Sequence, residues 1–114
     1  MKYLFAFLLL AAPLYDRDNG STVDLDLGDE MVVKLLVANE PGGLAGLWTL
    51  SSNNAGVLLR SHGRFEESNQ PGTMFQVFVW RGTGTGNTEI RLQYTGNGTY
   101  LPPRSLYTLK VRVR

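Results

Sequence analysis

The stretch "TVDLDLGDEMVVKLLV", residues 22–37, sets the pattern for the rest of this 114-residue chain. In "TVDLDL" (22–27) apolar residues alternate with aspartates or threonine, as in a strand with one buried and one solvated face. "GDE" (28–30) is a turn signal, because Gly28 can adopt a positive φ. "MVVKLLV" (31–37) predicts a second strand that is buried more deeply.

The same short apolar runs continue downstream, separated by glycine, proline and asparagine clusters. Further strands are predicted at 47–51, 57–60, 73–80, 88–94 and 105–113, and 61–72 is interpreted as a long irregular connection. No window after residue 15 has helical periodicity. About seven strands with frequent turn signals predict a single all-β domain, an immunoglobulin-like antiparallel β-sandwich spanning 16–114.

Composition limits the chemistry that the chain can perform. The 11 basic and 10 acidic residues give a net charge of +1, so no nucleic-acid partner is expected. There is no cysteine, which excludes disulfides, thiolate metal sites and a cysteine nucleophile. The single histidine, His62, argues against a histidine relay or a multi-histidine metal site. We therefore expect no enzyme activity, no metal and no cofactor.

The first residues, "MKYLFAFLLLAAPL" (1–14), have a different character. One lysine precedes an apolar run of the length found in secretory signal peptides, and it is too short to span a bilayer. We interpret 1–15 as a signal peptide and expect a secreted or periplasmic protein that has no membrane contact once the segment is removed. The alternative is a buried first strand or helix of a cytosolic protein.

Three segments rich in glycine, proline and other turn residues, 38–46, 68–72 and 95–103, flank the central strands. In a sandwich these segments can gather at one end, where loops on a rigid scaffold commonly form a binding edge. Glycine allows close approach of backbones, and proline lowers the entropy lost on docking. By contrast, "GTGTG" (82–86) is followed by a strand instead of a helix, which indicates a hairpin turn and not a phosphate loop.

The order of these features resembles the chagasin-like inhibitors of papain-family cysteine peptidases. That family has a strand, a turn and a second strand that runs into an Asn-Pro-Thr-Thr-Gly-aromatic loop followed by tryptophan. In "VANEPGGLAGLW" (37–48) Asn39 and Pro41 match the start of that loop with Glu40 inserted, and Trp48 matches the tryptophan. "QPGTMFQVFVW" (70–80) corresponds to the second loop and its strand, whereas "TGNGTYLPPR" (95–104) replaces the family's Arg-Pro-Trp loop.

The resemblance implies that a monomer inserts three loops as a non-covalent wedge into the cleft of a papain-like cysteine peptidase. The loops would be 39–47, 71–73 and 95–103, without cofactor or metal. The implied partner-binding residues are Asn39, Glu40, Pro41, Gly42, Gly43, Leu44, Gly46, Leu47, Pro71, Gly72, Thr73, Gly96, Asn97, Gly98 and Tyr100. The alternative is a secreted or periplasmic immunoglobulin-like interaction domain with another partner. Side-by-side placement of the three loops would favour the wedge.

Overall fold

The computed structural model describes residues 12–114, and two four-stranded sheets pack face to face over one core. The predicted β-sandwich is confirmed. A short 3-10 helix, Asp16–Asp18, precedes eight strands: β1 Thr22–Leu25, β2 Glu30–Glu40, β3 Gly43–Leu44, β4 Gly46–Ser52, β5 Leu58–Glu67, β6 Thr73–Gly82, β7 Gly86–Gly96 and β8 Leu106–Val113. No helix within this described part is long and apolar enough to cross a membrane.

One sheet has the strand order β1-β8-β7-β4 and the other has the order β3-β2-β6-β5. The strand pairs are antiparallel, as predicted, with one exception. β1 runs parallel to β8, with a register from Thr22 opposite Lys110 to Leu25 opposite Val113. The alternating pattern could not reveal this, because strand alternation is the same in parallel and antiparallel pairs.

The core consists of the inward-facing residues of both sheets. On β2, Met31, Val33, Leu35 and Val37 are all buried and alternate with partly exposed neighbours. The largest fully buried side chain, that of Trp80, comes from β6 in the same sheet. Each fully buried large apolar side chain contributes roughly 1.5–3 kcal/mol relative to exposure. The apolar run predicted as a deeply buried strand at 31–37 therefore supplies residues that hold the two sheets together.

The predicted long connection at 61–72 is wrong in its first half. β5 continues through this stretch and pairs with β6 along its length, with a register irregularity between Arg60 and His62. All but two of its residues are exposed, so the opposite sheet covers neither face of most of this edge strand. An edge strand with both faces in water carries polar residues at successive positions, so the alternation that signals a strand is lost.

The residues just before the sandwich pack against β2. Leu14 N donates to Val32 O at 2.9 Å and Lys34 N donates to Leu14 O at 2.8 Å. The Tyr107 hydroxyl donates to Tyr15 O at 2.9 Å. Leu14 and Tyr15, which fall within the predicted signal peptide 1–15, thus contact the sandwich, and residues 1–11 of that segment lie outside the described residues.

Candidate functional site

The three loops predicted from the sequence lie side by side at one end of the sandwich. The first loop (39–47) contacts the second (71–73), because Asn39 N donates to Gly72 O at 2.9 Å. It also contacts the third (95–103), because Asn97 N donates to Ala45 O at 3.0 Å. We call this surface, formed by residues 39–47, 71–73 and 95–103, the loop edge. Its geometry is the one that the wedge hypothesis requires.

The first loop is a tight hairpin and not a slack connection. β2 extends to Glu40 and pairs with β3, with Asn39 opposite Leu44 and Glu40 opposite Gly43. Pro41 and Gly42 form the two-residue turn. Gly43 has a φ of +124°, which side chains rarely adopt. The hairpin therefore presents one defined conformation, since proline restricts φ at the turn itself.

A seam of glycines joins the first and third loops. A Cβ atom added at Gly46 would lie 1.7 Å from the Tyr94 hydroxyl oxygen, and one at Gly96 would lie 2.6 Å from Ala45 O. A Cβ at Gly98 would lie 2.6 Å from the Ala38 Cβ. These distances are too short for any side chain, so the glycines allow the backbones of the two loops to approach closely.

Two buried aromatic residues, Trp48 and Tyr94, pack directly beneath the loop edge, on the side that faces the core. The buried Ala38 N donates to the Tyr94 hydroxyl at 3.1 Å, which ties β7 to the end of β2. The Trp48 ring packs edge-on against Tyr94 with 5.1 Å between ring centroids, and Trp48 Nε1 donates to Leu36 O at 3.0 Å. The sequence identified Trp48 as an anchor, whereas the role of Tyr94 depends on a contact between the two sheets.

A single glutamine links the sheets beside this aromatic pair. Gln76 Oε1 accepts from Trp48 N at 2.8 Å, and Gln76 Nε2 donates to Trp48 O at 3.0 Å. Gln76 is on β6 and Trp48 is on β4, so the amide fastens the base of the first loop to the opposite sheet. The sequence analysis did not single out Gln76. Its signal was present, because Gln76 shares the inward face of β6 with Met74 and Phe78.

At the level of sequence, no family model and no curated protein matches the chain. Solved structures do match it. EhICP2, a cysteine protease inhibitor from Entamoeba histolytica, is 17% identical and superimposes with a TM-score of 0.69 over 89% of this chain and 93% of its own. Amebosin is 20% identical, with a TM-score of 0.61 over 90% and 96%. PbICP-C, solved in complex with falcipain-2, is 14% identical, with a TM-score of 0.51 over 83% and 88%. The fold is chagasin-like.

Within this chagasin-like sandwich most of the predicted partner-binding residues are accessible. Gly46 and Thr73 are buried and lie beneath the loop edge, where they shape it. Thr73 Oγ1 donates to Gln70 O at 2.7 Å and thereby closes the second loop. The half-exposed members are Asn39, Glu40, Gly98 and Tyr100, and the exposed members are Pro41, Gly42, Gly43, Leu44, Leu47, Pro71, Gly72, Gly96 and Asn97.

The accessible surface of the loop edge is apolar and almost uncharged. Leu44 is 45% exposed, Leu47 is 43% exposed and Leu101 is 64% exposed. Leu101 was not among the predicted contact residues, although it lies within the third loop. Glu40 is the single Asp, Glu, Lys or Arg of the three loops, in a chain where such residues make up 18%. Exposed apolar side chains with depleted charge are typical of the centre of a protein–protein interface.

Burial raises the pKa values of two groups near the loop edge, Tyr100 and Asp16. Burial, assisted by the nearby Asp16 and Tyr94, raises the pKa of Tyr100 to about 12, so its hydroxyl stays protonated at neutral pH. Burial also raises the pKa of the Asp16 carboxyl, and the hydrogen bond from Leu36 N at 3.2 Å opposes this shift. Within residues 12–114 no three or more His, Cys, Asp or Glu side chains are grouped as metal ligands.

Proposed function

We propose that this protein is a non-covalent inhibitor of papain-like cysteine peptidases whose loop edge enters the substrate cleft. The observation that carries the proposal is the placement of three separate loops side by side, with backbone hydrogen bonds between them. Support comes from the shared fold: EhICP2 is named as a cysteine protease inhibitor, and PbICP-C forms a complex with falcipain-2. The proposal needs no catalytic group on this chain.

Rigidity is the physical basis of the proposed inhibition. The first loop is closed by the pairing of Glu40 with Gly43, and Gln76 and Tyr94 hold its base. The entropy of ordering the loop is therefore lost during folding and not during binding, which favours affinity. A restrained hairpin is also a poor substrate, because it cannot relax into a different conformation after docking. We infer that Leu44 and Leu47 provide the apolar contacts with the cleft.

Inhibition assays with matched variants test the proposal directly. The purified domain is titrated against papain and cathepsin-like peptidases, and an inhibition constant is measured for each enzyme. Leu44→Asp and Leu47→Asp should each raise this constant about tenfold or more, as expected for central interface anchors. Leu59→Asp is the matched control, because Leu59 is 51% exposed on β5. Absence of inhibition at micromolar concentration, or equal effects of all three variants, would refute the proposal.

We also propose that the protein is a secreted or periplasmic monomer and that residues 1–11 act within a signal peptide. The basic start and apolar run support the signal peptide and export.

The packing of Leu14 and Tyr15 on the sandwich favours cleavage before Leu14, because removal through residue 15 would expose the edge of β2. N-terminal sequencing of exported protein tests the cleavage position, and light scattering of the purified domain tests the monomer. Export with residues 1–11 intact would contradict the signal-peptide proposal.

A further inference from the structure

A recess of about 570 Å³ opens within the loop edge, and all three loop regions contribute to it. It lies on the surface that the proposed function buries against a peptidase, so its occupant must come from the partner. The residues that line it are Glu40, Gln70, Pro71, Gly72, Thr99, Tyr100 and Leu101. The recess thus combines apolar and polar surface with one carboxylate.

The Glu40 carboxylate has unused hydrogen-bonding capacity. Its Oε1 accepts from Thr99 Oγ1 at 3.5 Å, which is long for a hydroxyl donor. Its Oε2 has no hydrogen-bond partner among residues 12–114. An ionised carboxylate that is buried in an interface without a cationic or hydrogen-bonding partner costs several kcal/mol. Tight docking of the loop edge therefore requires a donor opposite Glu40, and a cationic donor binds a carboxylate more strongly than a neutral one.

The rest of the lining suits a long basic side chain. Pro71, Tyr100 and Leu101 provide apolar surface against which a methylene stem can pack. Tyr100 is an aromatic residue of the lining, and aromatic rings attract cations such as a guanidinium. A guanidinium group meets both requirements, since it binds a carboxylate with two parallel hydrogen bonds and stacks on aromatic rings.

We propose that this recess is a receptor site for an arginine side chain on the rim of the partner's cleft, with Glu40 as the anion that binds the guanidinium. The inference rests on the proposed function, because a wedge in a cleft would place the recess against the cleft wall. It adds a contact in which the inhibitor receives a side chain from the peptidase. It also makes Glu40 a determinant of which peptidases are bound tightly.

The recess can be tested without any peptidase. N-acetyl-arginine amide is titrated into the isotope-labelled domain, and amide chemical shifts are followed by NMR. Saturable shifts at Gly72, Thr99 and Leu101 are expected, with a dissociation constant on the order of millimolar for so small a ligand. N-acetyl-citrulline amide, the neutral isostere, should bind about tenfold more weakly. Equal shifts with both ligands, or shifts confined to other acidic sites, would overturn the proposal.

Two charge-neutralising variants complete the test. Glu40→Gln keeps the shape of the side chain and should abolish the preference for the arginine ligand over citrulline. Asp26→Asn is the matched control, because Asp26 is an exposed carboxylate far from the recess. It follows β1 beside the C-terminal end of β8, whereas the third loop precedes the N-terminal end of β8. This variant should leave binding unchanged. Equal binding by wild type and Glu40→Gln would overturn the proposal.

Inhibition assays then separate this inference from the proposed function. Against peptidases with an arginine on the cleft rim, Glu40→Gln should raise the inhibition constant about tenfold, and 0.5 M salt should reduce the difference. Against peptidases without that arginine the variant should match the wild type. If the wild type inhibits and Glu40→Gln is equally potent against every enzyme, the recess proposal fails and the inhibitor proposal stands. If the wild type inhibits no enzyme, the proposed function fails.

Discussion

Gly46→Ala should destabilise the protein strongly, although it adds a single methyl group. The new Cβ would lie 1.7 Å from the Tyr94 hydroxyl oxygen, whereas ordinary contacts begin at 3.4 Å. The Tyr94 hydroxyl must therefore move away by about half of that 3.4 Å contact distance. It would then lose the hydrogen bond that it accepts from Ala38 N, which is 3.1 Å long in the wild type. Ala38 is fully buried, so its N–H would be left without a partner.

The magnitude follows from two separate costs. An unsatisfied buried N–H costs about 1–3 kcal/mol, and overpacking of a closely packed site costs about 1–3 kcal/mol. Together they predict a loss of about 2–6 kcal/mol, a large share of the roughly 5–15 kcal/mol by which a small domain is stable. The loss should lower the melting temperature by at least about 8 °C.

Urea unfolding monitored by tryptophan fluorescence measures this effect, because Trp48 and Trp80 are both buried. Gly42→Ala is the matched control. A Cβ at Gly42 meets no atom within 4 Å and its φ is not positive, so this change should alter the free energy of unfolding by no more than about 0.5 kcal/mol. Equal midpoints for the two variants, with unchanged m-values, would refute the argument that the glycine seam is obligatory.

Three further predictions concern other parts of the site. Gln76→Met should cost about 1–3 kcal/mol in urea unfolding, because the N–H and C=O groups of Trp48 lose their partners; a loss below about 0.5 kcal/mol would contradict the proposed bridge. Burial raises the pKa of Asp16 above its ordinary value of 3.8, so the stability of the wild type relative to Asp16→Asn should be greatest below pH 3.8 and should fall as the pH rises through the folded-state pKa. Unfolding at a series of pH values between 3 and 7 checks the sign, and a difference that grows with pH would contradict it. Leu101→Ser should leave the melting temperature unchanged and raise the inhibition constant against a sensitive peptidase about tenfold, and an unchanged constant would remove the third loop from the interface.

Strands with at least one buried face were predictable from the sequence. The part of β5 in which neither face is buried was missed. The alternation along β1 and the apolar run along β2 predicted both strands, because a buried strand face requires apolar residues whatever the partner strand. β5 was recognised over 57–60 alone. Its exposed residues at 61–67 contribute little to the core, so no apolar periodicity is required of them. The strand exists because β6 offers it a hydrogen-bonding edge, which is a property of the neighbouring strand.

The loops show the same division between local and tertiary information. Glycine and proline marked all three loops, because turns need φ values and backbone restraints that these residues supply. The sequence did not show that 39–44 forms a hairpin, since the pairing of Glu40 with Gly43 depends on how β2 ends. It also did not separate exposed Gly42 from buried Gly46. In the sequence both glycines are simply members of a turn-rich segment. In the fold only Gly46 lies against Tyr94.

The sequence by itself determined the class of fold, the inward set of side chains and the positions of the loops, because each depends on residue types within a few positions of one another. The tertiary structure decided the parallel pairing of β1 with β8, the Gln76 bridge and the recess around Glu40. These features join residues that are far apart in the chain. Their physical cause is tertiary: strand pairing within a sheet places β1 beside β8, and the packing of one sheet on the other brings Gln76 to Trp48.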